Sequence, residues 1–172
     1  MRFDPGPGVG GHCLPVDPAY LSWEIRRRTG TPLHLVETAN QINNSMPTHV
    51  VHRLTQALNT RGLPVNESHV LLLGIAYKPD TGDTRHSPAI TIAQNLTALG
   101  ARIRVVDPHV NEPFSLDPRT VLPRLTKTSL KAADAVVLLT DHTAFGLPLI
   151  EQHAPYVLDC RARLKGPNVE HL

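Results

Sequence analysis

Apolar residues recur at Leu35, Ala39, Ile42, Met46, Val50, Leu54 and Leu58, in steps of three or four. This is one stripe of a 3.6-residue period and predicts helix across residues 20–62. Pro47 stands inside the stripe. A proline there removes a donor and clashes with the carbonyl four residues back, so the pattern predicts two helices or one kinked helix, with Asn43, Asn44 and Ser45 as capping candidates. Gly62 and Pro64 mark its end. From residue 67 the period changes. Residues 69–76 (HVLLLGIA) and 135–140 (AVVLLT) are unbroken apolar runs, as expected of strands buried on both faces, and residues 102–106 and 156–159 are shorter strand candidates. Helices are expected between them. One covers residues 87–99, with Ser87 as cap, Pro88 at the first position and Gly100 as stop; a short one lies near residues 129–133, and another covers 147–153. Strand and helix alternating in units of about 30 residues predict βαβ units and a mostly parallel sheet, a small doubly wound α/β domain.

The first 18 residues follow neither period. Four glycines in six positions (Gly6, Gly8, Gly10, Gly11) among prolines predict a loop. The 16 prolines of the 172-residue chain are about twice the average usage, and they gather here and in residues 108–123 as rigid loops. With 41% hydrophobic and 19% charged residues, the chain has enough apolar matter for a core and too little charge for disorder. A net charge of +2 speaks against a bulk nucleic-acid or membrane-surface binder, which needs a concentrated basic field. The longest aliphatic run, residues 135–139, is far short of the roughly 20 residues that span a bilayer. The first residues carry no apolar stretch of the kind a secretory signal needs. Two cysteines, Cys13 and Cys160, build no disulfide framework, and the expected setting is reducing and cytoplasmic.

Gly6, Gly8 and Gly11 spell G-x-G-x-x-G, but five preceding residues leave no room for a strand, and Pro15 and Pro18 speak against a following helix. The dinucleotide fingerprint is therefore rejected. Residues 73–78, where the first strand ends, carry no glycine triplet either. The domain suits a nucleotide, but not one held by a glycine hairpin. What remains is a glycine-rich loop running into Cys13. Glycines let amides approach an anion closely, and a cysteine among such amides beside His12 has a route to a reactive thiolate. Asp17, four residues on, is placed to order a water. A proline-rich turn around an inert cysteine fits the same letters. His12 with Cys13, His49 with His52, and His142 with His153 assemble no four-ligand set, so no metal is expected.

Four stretches, in order, carry a resemblance: PGPGVGGHCLPVDPAYLSW from Pro5, ETANQINNSMP from Glu37, GIAYKPDTGDTRHSP from Gly74 and ADAVVLLTD from Ala133. Over essentially the whole chain they resemble the nucleotide-sugar 6-dehydrogenases, the family of UDP-glucose, UDP-N-acetylglucosamine and UDP-N-acetylmannosamine dehydrogenases. The resemblance reaches only the C-terminal half of such enzymes, whose N-terminal Rossmann NAD domain has no counterpart here. It implies a catalytic-cysteine loop at residues 1–19, a central helical dimerisation region at 20–64 and a Rossmann-like UDP-binding domain at 65–172.

In such enzymes the sugar C6 alcohol is oxidised twice, with two NAD, and a cysteine captures the intermediate aldehyde as a thiohemiacetal that becomes a thioester. Cys13 matches that nucleophile, and Asp17 the aspartate implicated in activating water. Gly8, Gly10, Gly11 and His12 match the loop along the UDP-sugar. Lys78 and Tyr77 match residues close to the ligand, Arg161 an arginine near the nucleotide, and Arg85 an arginine on the cofactor side. By their letters alone, Lys78 is equally a solvated loop lysine, Tyr77 core packing, and Arg85 an ion-pair partner of Asp83 or Asp80. Cys160 ends a buried strand and reads as an inert core thiol. His12 and Val16 point to the N-acetylhexosamine branch. The implied protein is the C-terminal part of an NAD-dependent oxidoreductase of polysaccharide biosynthesis. It would act on a UDP-N-acetylhexosamine, pair as a homodimer through the central helix, and be inactive without its NAD lobe. Two other readings stand beside it. One is a non-catalytic UDP-binding and dimerisation module, whose apolar stripe either meets a partner or packs on its own α/β domain. The other is a cysteine hydrolase, disfavoured because no helix start is expected directly after Cys13.

Overall fold

A computed structural model describes residues 5–110, 117, 120–122 and 124–172. The chain enters two helices, α1 (Cys13–Thr29) and α2 (His34–Thr60). There follow β1 (His69–Leu73), α3 (Pro88–Ala98), β2 (Arg102–Val106), β3 (Val121–Leu122), α4 (Lys127–Lys131), β4 (Ala135–Leu138), α5 (Leu147–His153), β5 (Val157–Asp159) and β6 (Val169–His171). All six strands are parallel, in the order β3-β2-β1-β4-β5-β6. The two unbroken apolar runs, β1 and β4, pair at the centre of the sheet, Val70 against Ala135 through Leu73 against Leu138. Side chains alternate between the faces. Val70 and Leu72 join Leu54, Leu58, Ile92 and Leu96 beneath α2 and α3, while Leu71 and Leu73 join Leu130 and Ile150 beneath α4 and α5. The chain reverses its direction of travel across the sheet between β1 and β4, so the C-terminal ends of these strands form the crevice where doubly wound domains bind ligands. Among the described residues, no helix is long and apolar enough to cross a membrane.

Several expectations need correction. Residues 13–18 are not loop, because α1 begins at Cys13. Pro15 falls in its first turn, where a missing N–H costs no helical bond, and only Pro18 interrupts the ladder. The helical region is divided at Gly30, whose left-handed backbone (φ 75°) caps α1, and not at Pro47, which α2 runs through. Asn43, Asn44 and Ser45 lie inside α2 and cap nothing. β1 stops at Leu73 because Gly74 turns the chain with φ 82°. Two short strands were not foreseen. β3 pairs through two residues and β6 through three, too few for a readable period. Residues 1–4 and much of the proline-rich segment (111–116, 118, 119 and 123) lie outside the described residues.

The apolar stripe of α2 is shared out at Pro47. Beyond it, Val50, Leu54 and Leu58 are buried in the core; before it, Ile42 is exposed and Leu35 is 84% exposed. α1 and α2 are tied by Glu37, which accepts from Ser22 Oγ (3.0 Å) and Arg26 Nη2 (2.6 Å).

Candidate functional site

The glycine loop crosses the C-terminal crest of the sheet, and each glycine marks a point of close approach. At Gly6 a Cβ would meet the Arg161 guanidinium and the Cys160 carbonyl beyond β5, and at Gly8 it would meet Pro88 at the start of α3. At Gly10 a Cβ would stand 2.7 Å from the His86 carbonyl and 2.8 Å from Tyr77 Cβ; at Gly11 it would stand 2.8 Å from the Tyr77 ring. No larger residue fits under that ring, and Gly11 also needs its positive φ of 84°. The Gly11 amide donates to the Arg85 carbonyl (3.0 Å), so this amide is spent on holding the loop and is not open to a ligand. Asn43 secures the other side: its Oδ1 accepts from the Val9 amide (2.7 Å) and its Nδ2 donates to the Val9 carbonyl (3.2 Å). Pro47 has no N–H for the Asn43 carbonyl, and that carbonyl faces the loop, 3.5 Å from where a Gly8 Cβ would stand.

This docking brings most of the expected residues together. His12 precedes α1 and Cys13 opens it, both exposed; Asp17 follows one turn later on the same side of the helix. Tyr77 and Lys78 leave the end of β1, with the Lys78 ammonium 5.3 Å from the Tyr77 ring centre. The Arg85 carbonyl anchors the Gly11 amide two residues before Cys13, and its guanidinium is held by Asp83 through Nε (3.0 Å) and Nη2 (2.7 Å). That bond pulls the Asp83 carboxyl down to about 2. Arg161 stands apart from Cys13, at the Gly6 end of the loop, with its Nε donating to the Leu139 carbonyl (2.7 Å). A cavity of about 530 Å³ opens between the loop, α2 and the start of α3, lined by Val9, Pro15, Asn44, Arg85, His86 and Thr91. A larger hollow of about 630 Å³, lined by His69, Arg104 and Ser129, lies toward the opposite end of β1 and touches none of these residues. The Cys160 thiol is buried, and burial pushes it up to about 12, so it stays protonated.

The crest holds a second group that the sequence did not disclose. Asp107, at the end of β2, accepts at Oδ2 from the Ile75 and Ala76 amides (2.8 and 3.0 Å) and at Oδ1 from the His109 and Val110 amides (2.9 and 3.2 Å). His142 lies 3.0 Å from Asp107 Oδ2 through Nε2, and its Nδ1 accepts from the Asp80 amide (3.0 Å). Burial raises the Asp107 carboxyl, but the bonds from His142 and the His109, Ala76 and Ile75 amides outweigh it, and its pKa lies below the usual carboxylate value. Asp80, His109 and His142 come near enough to one another to suggest a metal site. Both ring nitrogens of His142 are already engaged, however, so the group acts as a hydrogen-bond network. Asp80, Asp107 and His142 are 27 to 62 positions apart in sequence and converge only because parallel strands end together.

Two family models match the sequence. The UDP-binding domain of the UDP-glucose/GDP-mannose dehydrogenase family covers residues 71–166, and the central domain of the same family covers residues 1–45. The chain belongs to the UDP-glucose/GDP-mannose dehydrogenase family. Within it, a UDP-N-acetyl-D-mannosamine dehydrogenase of Salmonella typhimurium is 35% identical over 166 residues, which are 92% of this chain and 38% of that one. An NDP-N-acetyl-D-galactosaminuronic acid dehydrogenase of Ralstonia nicotianae is 38% identical over 146 residues, 83% of this chain and 32% of that one. The solved structure of a UDP-D-ManNAc dehydrogenase from Pyrococcus horikoshii superposes with a TM-score of 0.77 at 29% identity, over 98% of this chain and 40% of that one. The chain thus spans well under half the length of these dehydrogenases. α1 does start at Cys13, so the earlier objection to a cysteine hydrolase falls, as does half of the case against the glycine fingerprint.

Proposed function

We propose that this chain is the substrate-holding part of an NAD-dependent UDP-sugar 6-dehydrogenase, with UDP at the crest of the sheet and Cys13 as the nucleophile. The observation that carries this reading is the seating of Gly10 and Gly11 on Tyr77, which holds the start of α1 beside the loop bearing Lys78 and Arg85. Lys78 and Arg85 offer charge to a diphosphate. The Cys13 thiol adds across the C6 aldehyde: the S–C bond forms, and the proton passes to the carbonyl oxygen. After oxidation of that adduct, water cleaves the thioester, leaving the uronic acid and the free thiol. Asp17, one helical turn from Cys13, is the group that orients this water.

The residues here do not fit NAD itself. The turn after β1 carries Gly74 alone and no glycine triplet, and Gly74 is spent on packing against Thr140, so the hairpin that holds the NAD pyrophosphate is not formed there. NAD is held elsewhere in such an enzyme, and Arg85 could only reach toward it. The names of the similar dehydrogenases support a UDP-N-acetylhexosamine as substrate. The exposed apolar residues of α1 and α2 support a homodimer through the central helices. Two unpaired cysteines accord with a cytoplasmic setting.

Calorimetric titration tests the core of the proposal. UDP is expected to bind, NAD is not, and Lys78→Ala is expected to weaken UDP by about tenfold. The chain alone should form no NADH. Absence of heat with UDP, or equal binding of NAD, would overturn the assignment.

A further inference from the structure

The loop that carries Tyr77 and Lys78 is pinned on both sides. Before it, the Ile75 and Ala76 amides donate to Asp107, and Thr140 Oγ1 donates to the Ala76 carbonyl (2.7 Å). After it, the Asp80 amide donates to His142 Nδ1. Only Tyr77, Lys78 and Pro79 lie between these anchors. Asp80 adopts φ 56°, a left-handed backbone that a non-glycine residue keeps only when its surroundings hold it there. Its carboxylate is engaged as well, with Oδ1 accepting from the Thr143 amide (2.9 Å) and Thr143 Oγ1 (3.0 Å).

We propose that His142 is a positioning residue for the UDP site, fixing where Lys78 stands by joining the Asp80 amide to Asp107. The proposal rests on the reading of the crest as that site. The two partners of the ring define its state. Nδ1 faces an N–H and must be bare, so the neutral ring carries its proton on Nε2 and donates it to Asp107. The ring is 1% exposed and lies between His109 (5.0 Å between centres) and the edge of Phe145 (5.4 Å), so it cannot turn away without disturbing both. Asp107 accepts five bonds and stays well satisfied if one is lost, whereas the Asp80 amide has His142 alone among the bonds described. The acceptor at Nδ1 is therefore the function that matters.

Two amide substitutions separate the two nitrogens. In His142→Asn the side-chain oxygen stands near the place of Nδ1 and can still accept from Asp80. In His142→Gln the amide nitrogen reaches toward Asp107, and the acceptor is lost. UDP titration of this chain is expected to give an affinity within about twofold of wild type for H142N and a loss of about tenfold for H142Q. Amide hydrogen exchange should show Asp80 protected in H142N and unprotected in H142Q. If H142Q does not fold, Thr143→Val loosens the same anchor from an exposed position and is expected to weaken UDP by about threefold. Variants that all bind as wild type does, or H142N and H142Q weakened alike, overturn the proposal. A wild-type chain that takes up no UDP overturns instead the reading of the crest on which it rests.

Discussion

Asp107 shows how one buried carboxylate gathers the ends of several elements, accepting five hydrogen bonds just beyond β2. Its folded pKa is depressed, so its contribution to stability is present in full above the unfolded value of about 3.9 and is lost as pH falls through the folded one. Stability measured by urea denaturation should therefore decline as pH falls below about 4. Asp107→Asn should flatten part of that decline and cost about 2–4 kcal/mol at pH 7, because an uncharged amide cannot accept all five bonds. An unchanged pH slope in the variant would show that other carboxylates carry the effect. The strand before Asp107, residues 102–106, is legible in the sequence, but nothing there marks the aspartate itself. Nor does anything mark its partner, since His142 lies 35 positions away and no local pattern joins them.

At the scale of elements, the informative case is the entry into α1. Glycine and proline density reads as loop through Pro18, yet the helix starts at Cys13 because prolines in a first turn remove no bond that the helix would have made. The cysteine thus sits among the unpaired amides of a helix start, one turn before Asp17, a spacing that a loop would not have translated into proximity. The loop before it depends on α2 through one side chain. Asn43→Ala removes both bonds to Val9 and is expected to cost about 1–2 kcal/mol and to speed exchange of the Val9 amide. Protection of that amide equal to wild type would mean that glycine packing alone seats the loop. Pro47 belongs to the same arrangement: the carbonyl it leaves without a helical donor is the one that faces Gly8.

Across the whole molecule, burial is uneven. The sheet and the C-terminal half of α2 form a two-sided core, whereas Tyr20, Trp23, Leu35 and Ile42 stand exposed on the two leading helices. A face of this kind is unusual on a chain that stands alone. If it joins two copies, light scattering should give twice the 18.9 kDa of one chain at high concentration and fall on dilution, and Trp23→Glu with Leu35→Glu should leave a monomer whose UDP affinity is unchanged. A concentration-independent single chain would remove the homodimer.

By itself, the sequence determined the alternation of strand and helix, the two central strands, the Ser87 and Gly100 boundaries of α3 and the family. All of these are written in local periodicity, capping chemistry or contiguous motifs. Only the tertiary structure decided that Asp107, His142 and Asp80 meet, that the Gly11 amide is spent on Arg85, and that the stripe of α2 changes from exposed to buried at Pro47. Those outcomes depend on which strand ends lie side by side and which surfaces another element covers. Such relations are set by packing between residues tens of positions apart, and they leave no period in the chain.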